Sequence, residues 1–161
     1  AIIMTASGCG AMVQDYGHLL KDDPVYAAKA QKVSELCTDL GAFLLKQDLE
    51  KLKVRQDPGK VAFHCPCTLQ HAMKQNGVVE QVLTRAGVNL AATKDKHLCC
   101  GSAGTYSVTQ PEMSQKLLGN KLKALTVDNP DRIVTANIGC QMHLETKSPV
   151  PVQHWVELLD Q

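Results

Sequence analysis

Two cysteines stand side by side at positions 99 and 100, inside HLCCGSAGTYS, and are followed by Gly101, Gly104 and small hydroxyl residues. Three uses are open to adjacent thiols in such a loop: a reactive vicinal dithiol, a metal centre drawing several sulfurs from one tight turn, or two ordinary buried cysteines beside a helix start. A disulfide between neighbours is awkward, because adjacent Cα atoms lie about 3.8 Å apart whereas bridged pairs sit at about 4.4–6.8 Å. A single zinc ion also fits poorly, since zinc sites draw ligands in pairs such as C-x-x-C that wrap one turn round one ion. A polynuclear iron-sulfur cluster takes both sulfurs on different irons, and backbone N–H groups of a glycine loop can approach its sulfides. Gly101 and Gly104 would give that access.

Cys67 and Cys140 complete a set of four candidate ligands with Cys99 and Cys100. His143 follows Cys140 by three residues, where a C-x-x-C motif would place its second cysteine; imidazole can replace thiolate on iron and raises the potential. A solvent-facing or capping role is the alternative for His143. Cys65 shares the extended C-P-C segment with Cys67, a geometry in which only one of the two sulfurs need face a common site. Cys37 is read as a small buried hydrophobe on a helix. His18, His64, His71, His97 and His154 have no spacing that separates ligand from bystander.

The elements that would bring these residues together can be read from periodicity and breakers. Strands are expected at residues 2–5, 60–64, 88–93 and 132–136, each followed by helix. One long helix is expected from Asp23 to about Lys46, with Pro24 in its first turn and Ala27, Ala30, Val33, Leu36, Cys37, Leu40, Phe43 and Leu44 at helical spacing. Thr109 reads as the cap of a second helix over QPEMSQKLLGNKLKALTVD. Strands alternating with helices imply an α/β fold, a mostly parallel sheet flanked by helices. Such sheets put ligand sites at the carboxyl ends of their strands. KVAFH runs into CPC, NLAAT leads to CC, and RIVTA runs into NIGC, so three loops are expected to deliver thiols to one sheet edge. IIMTASGCGAM also echoes RIVTANIGCQMH, which pairs Cys9 with Cys140 and suggests an internal duplication.

Composition narrows the class. The chain has 161 residues, 44% hydrophobic and 20% charged, enough for an ordinary globular core. With 17 basic against 16 acidic residues there is no general basic field for nucleic acid or an anionic membrane surface. No apolar run approaches the roughly 20 residues of a membrane-spanning helix. Seven cysteines, an odd number with no secretory signal, argue against a disulfide framework and for a reducing compartment. The opening AIIMTA reads as the body of a buried strand, so the chain is expected to begin inside a fold.

Taken together, Cys67, CCG at 99–101 and GCQMH at 139–143 resemble the cysteine-rich CCG domain of the heterodisulfide reductase family, whose repeat is a lone Cys, a long gap, CCG, another long gap and C-x-x-C. FHCPCTLQHAMK, HLCCGSAGTYS, IVTANIGCQMHLE and PVQHWVELL are similar to the C-terminal part of the glycolate oxidase iron-sulfur subunit family. That resemblance implies a duplicated CCG-type repeat: residues 1–58 as the end of a first, truncated copy and 59–161 as a second. It implies an iron-sulfur cluster, of the four-iron four-sulfur kind, held by Cys67, Cys99, Cys100 and Cys140 with His143 in a fifth place. It implies electron relay from flavin-bearing glycolate oxidase subunits, with no catalytic residue of the chain's own, in the cytoplasm and peripheral to the inner membrane. The final cysteine of C-x-x-C is absent here. The rival functions are a thiol-disulfide oxidoreductase using Cys99 or Cys100, and a cluster-free scaffold that docks other subunits.

Overall fold

The computed structural model describes residues 1–49 and 57–159. Residues 50–56, part of the first expected repeat, lie outside it, as do 160 and 161. The main sheet has four parallel strands, β3 (Lys60–His64), β4 (Asn89–Leu90), β5 (Arg132–Thr135) and β6 (Val152–His154), in the order β4-β3-β5-β6. A smaller sheet pairs β1 (Ile2–Met4) with β2 (Cys37–Asp39), also in parallel. The helices are α1 (Ser7–Leu19), α2 (Ala27–Leu36), α3 (Leu40–Leu44), α4 (Val78–Arg85), α5 (Tyr106–Thr109), α6 (Pro111–Leu125) and α7 (Ile138–Glu145). A π-helical turn covers Thr68–Ala72 and a 3-10 turn Trp155–Leu159. The α/β class with parallel sheets and flanking helices is as expected.

The central strands KVAFH and RIVT are apolar almost throughout because both their faces are covered. Val61 and Phe63 face a core with Leu69, Val79, Val82, Leu83, Val134 and Trp155. Ala62 and Ile133 face the opposite way, into Leu118, Leu122, Leu125 and Leu144 of α6 and α7. Strand direction therefore assigns a face to every residue of β3: His64, two positions after Ala62, is on the α6–α7 side.

Several expectations are corrected. The helix expected over 23–46 is interrupted: α2 stops at Leu36, Cys37–Asp39 is extended and pairs with β1, and α3 starts afresh. Asp39 makes the break, since its carboxylate accepts the Gly41 N–H at 2.8 Å and caps α3. Cys37 is buried as expected, but on a strand rather than a helix face. Thr109 does not cap α6; it ends α5, its hydroxyl donates to Thr105 O, and Gln110 precedes Pro111 at the first helical position. The strand expected over 88–93 shrinks to two residues. β1 is not a buried strand, with Ile2 and Ile3 about two-fifths exposed.

Candidate metal centre

In this sheet β3 connects to β4 on one side while β5 connects to β6 on the other, so β3 and β5 flank the point where the winding reverses. The loops leaving two such strands diverge and open a crevice at their carboxyl ends. Pro66, Cys67 and Thr68 follow β3; Asn137, Ile138, Gly139 and Cys140 follow β5; Cys99, Cys100, Ser102, Ala103 and Gly104 arrive from the long loop after β4. Together they line one pocket of about 530 Å³. The four cysteines expected to meet thus share a pocket.

Each sulfur has a local reason for its place. Cys140 lies in the first turn of α7, started by Asn137, whose Oδ1 accepts the Gly139 N–H at 2.9 Å. Asn137 also donates to Ser7 Oγ, which in turn bonds Thr68 Oγ1, so the loops after β1, β3 and β5 are tied together. Gly101 has φ +94°, and a Cβ there would collide with the carbonyl oxygen of Ser114. That turn brings the Gly101 N–H to 3.3 Å from Cys99 Sγ and lets Ser114 Oγ donate to Gly101 O at 2.8 Å. Gly104, at φ +60° with open space around it, lines the pocket wall.

His143 stands elsewhere in the arrangement: its Nε2 is 3.1 Å from Ser114 Oγ, and it is not among the pocket-lining residues. Cys65 turns the other way from Cys67, into the core with Leu69 and Trp155, and burial pushes its thiol up to about 12. Two further residues lie at or beside the site. Cys9, in the first turn of α1, lines the same pocket; its echo of Cys140 was the one hint. His64, with its ring fully buried, has a ring nitrogen that lies with Cys100 Sγ and Cys140 Sγ inside a 4.8 Å spread.

The electrostatics follow from crowding. Hydrogen bonds from Cys100 and then Cys67 hold Cys99 far below the ordinary thiol range, against the effect of burial. Cys140 is brought down to about 5, first by Cys100, with His64 also favouring its thiolate. The donors move the other way: Cys67 is pushed up by its bond to Cys99 and by burial, and Cys100 by its bonds to Cys140 and Cys99. The crowded sulfurs thus oppose one another's ionisation, and all four can ionise together only around added positive charge. Lys121, 1% exposed, gives some: Cys67, Cys65, Cys100 and Cys99 favour its ammonium, although burial outweighs them and lowers it. Soft thiolates in a pocket whose lining residues include no carboxylate fit an iron-sulfur cluster or another thiophilic metal rather than a hard cation.

This arrangement has relatives. Residues 61–145, more than half the chain, match the CCG cysteine-rich domain model. The chain belongs to that family. It is 55% identical, over its whole length, to the glycolate oxidase iron-sulfur subunit of Escherichia coli (strain K12), covering 39% of that protein. It is 33% identical over 90% of its length to the probable glycolate oxidase iron-sulfur subunit of Bacillus subtilis (strain 168), covering 33% of it. Lactate utilization protein A of Geobacillus thermodenitrificans matches at 26% identity over 98% of this chain and 69% of its own length. The chain thus spans between a third and two fifths of the two glycolate oxidase relatives, and the CCG domain it carries is the part that contains all four converging cysteines.

Proposed function

We propose that this chain is the electron-relaying, C-terminal part of a glycolate oxidase iron-sulfur subunit, and that Cys67, Cys99, Cys100 and Cys140 hold a four-iron four-sulfur cluster. The observation that carries the reading is four thiols from three separate loops lining one pocket at the sheet's switch point. When bound, such a cluster accepts and releases single electrons. The chain's own residues give up thiol protons to bind it, donate the Gly101 N–H to Cys99 sulfur, and set the Lys121 amine nearby, its ammonium favoured by the thiolates against burial. No group in the pocket is needed as acid or base, since the protein contributes ligation and environment. His143 joins the ligands only by giving up its bond to Ser114. The names of the relatives, subunits of a glycolate oxidase, support other subunits of such an assembly as partners; that these bear flavin, and that the assembly is cytoplasmic and peripheral at the inner membrane, belongs to the proposal. Among the described residues no helix is long and apolar enough to cross a membrane. The parallel placing of Cys9 and Cys140, each in the first turn of a helix that follows a strand, supports reading residues 1–58 and 59–161 as parts of two repeats.

A second reading draws on the lowered thiol of Cys99 with Cys67 beside it: a thiolate that attacks a substrate disulfide, expels one substrate thiol to form a mixed disulfide, and is resolved by Cys67, which expels the second thiol and leaves a Cys67–Cys99 disulfide carrying the two-electron oxidation of the pair. Anaerobic reconstitution followed by iron, sulfide and zinc analysis separates the two. The cluster reading expects iron and sulfide in near-equal amounts with visible absorption that Cys99→Ser or Cys100→Ser removes. A metal-free protein with one fast-reacting thiol would replace it with the second reading.

A further inference from the structure

His64 ends β3 with its ring fully buried, and neither ring nitrogen makes a well-formed hydrogen bond among the described residues; the group it interacts with is Cys140, whose thiolate it favours. An unpaired buried polar group costs roughly 1–3 kcal/mol, so a buried imidazole set against cysteine sulfur without a well-formed hydrogen bond gains from a metal shared with that sulfur. Strand alternation turns His64 to the α6–α7 side, the face on which Cys100 and Cys140 are packed. One ring nitrogen and the sulfurs of Cys100 and Cys140 all lie within 4.8 Å of one another, all three residues being buried. That spacing lets three donors share one metal ion or one edge of a cluster. On the neighbouring strand the register sets Thr135 beside His64, and Thr135 Oγ1 is itself buried and unpaired.

We propose that His64 is a nitrogen ligand of the metal centre, bound on the side of Cys100 and Cys140. The proposal rests on the cluster reading above and supplies what that reading lacks: a donor to stand in for the missing second cysteine of C-x-x-C. His143 occupies that sequence position, but its Nε2 is engaged by Ser114. Imidazole in place of thiolate makes the centre less negative and raises its potential.

The test uses the full chain, loaded anaerobically with iron and sulfide, with only its histidine nitrogens carrying 15N. Pulsed EPR of the paramagnetic state should show a coupling typical of a directly bound histidine nitrogen, unchanged in His143→Ala and lost in His64→Gln. A loaded wild type without that coupling, or a coupling that survives His64→Gln, overturns the proposal. A parallel cobalt(II) titration of metal-free protein separates this failure from failure of the cluster reading. Loss of iron binding alongside a cobalt spectrum that changes in His64→Gln would sink the cluster and keep His64 as a ligand. Identical cobalt spectra in wild type and His64→Gln would reject His64 whatever the iron result.

Discussion

A lysine with 1% of its surface exposed is the most informative single residue outside the cysteines. Lys121 Nζ donates to the carbonyls of Asp95 and Lys96 at 3.4 and 3.1 Å, and both carbonyls keep another donor, Leu98 N and Gln70 Nε2 respectively. Its ammonium is thus not needed to satisfy the loop before CCG, and burial lowers its pKa while the nearby cysteine sulfurs favour the charged form. Lys121→Met should leave the thermal stability of the metal-free protein unchanged or slightly raised, because a buried cation is replaced by an apolar side chain of similar length. In the loaded protein the same substitution should lower the midpoint potential, because an added electron loses a compensating charge; redox titration checks this, and an unshifted potential would show that Lys121 does not act on the centre. At this scale the cysteines were legible because adjacency and glycine neighbours are local signals. His64 and Lys121 were not, since nothing in the letters says which strand face or how deep a residue lies.

The CCG loop and α6 form one mechanical unit at the level of elements. Gly101 donates to Cys99 sulfur and accepts from Ser114 of α6 across a contact too close for any side chain. Gly104 shares the positive φ but has open space. Gly104→Ala should therefore cost about 1 kcal/mol, the left-handed backbone penalty alone. Gly101→Ala should cost roughly 3 kcal/mol or more, because the loop must also leave α6. Denaturant unfolding of the two metal-free variants measures both, and equal costs would contradict the close packing. β3 and β5 were legible as unbroken apolar runs. β2 was hidden because Val33, Leu36, Cys37 and Leu40 keep helical spacing across it, and only the Asp39 cap interrupts them. β6 was missed because three residues after a proline give too short a pattern to set against the loop before them.

Taken as a whole, the molecule turns a linear order of cysteines separated by long gaps into one pocket. The winding of the sheet does this, by reversing between β3 and β5 and adding the loop after β4. That three strands would end in cysteine loops could be read from the chain; that the loops close on each other depends on strand order, which no local pattern encodes. Cys9 reaches the same pocket from the small sheet while remaining exposed, and Cys65 stays in the opposite core. The most direct measurement is therefore thiol alkylation, read by mass spectrometry, on loaded and metal-free protein. The account predicts that loading protects Cys67, Cys99, Cys100 and Cys140 together, with the four becoming reactive in step as the metal is withdrawn, while Cys9 reacts before and after. Protection of these four thiols independently of one another, or no protection on loading, would contradict the claim that they hold a single centre.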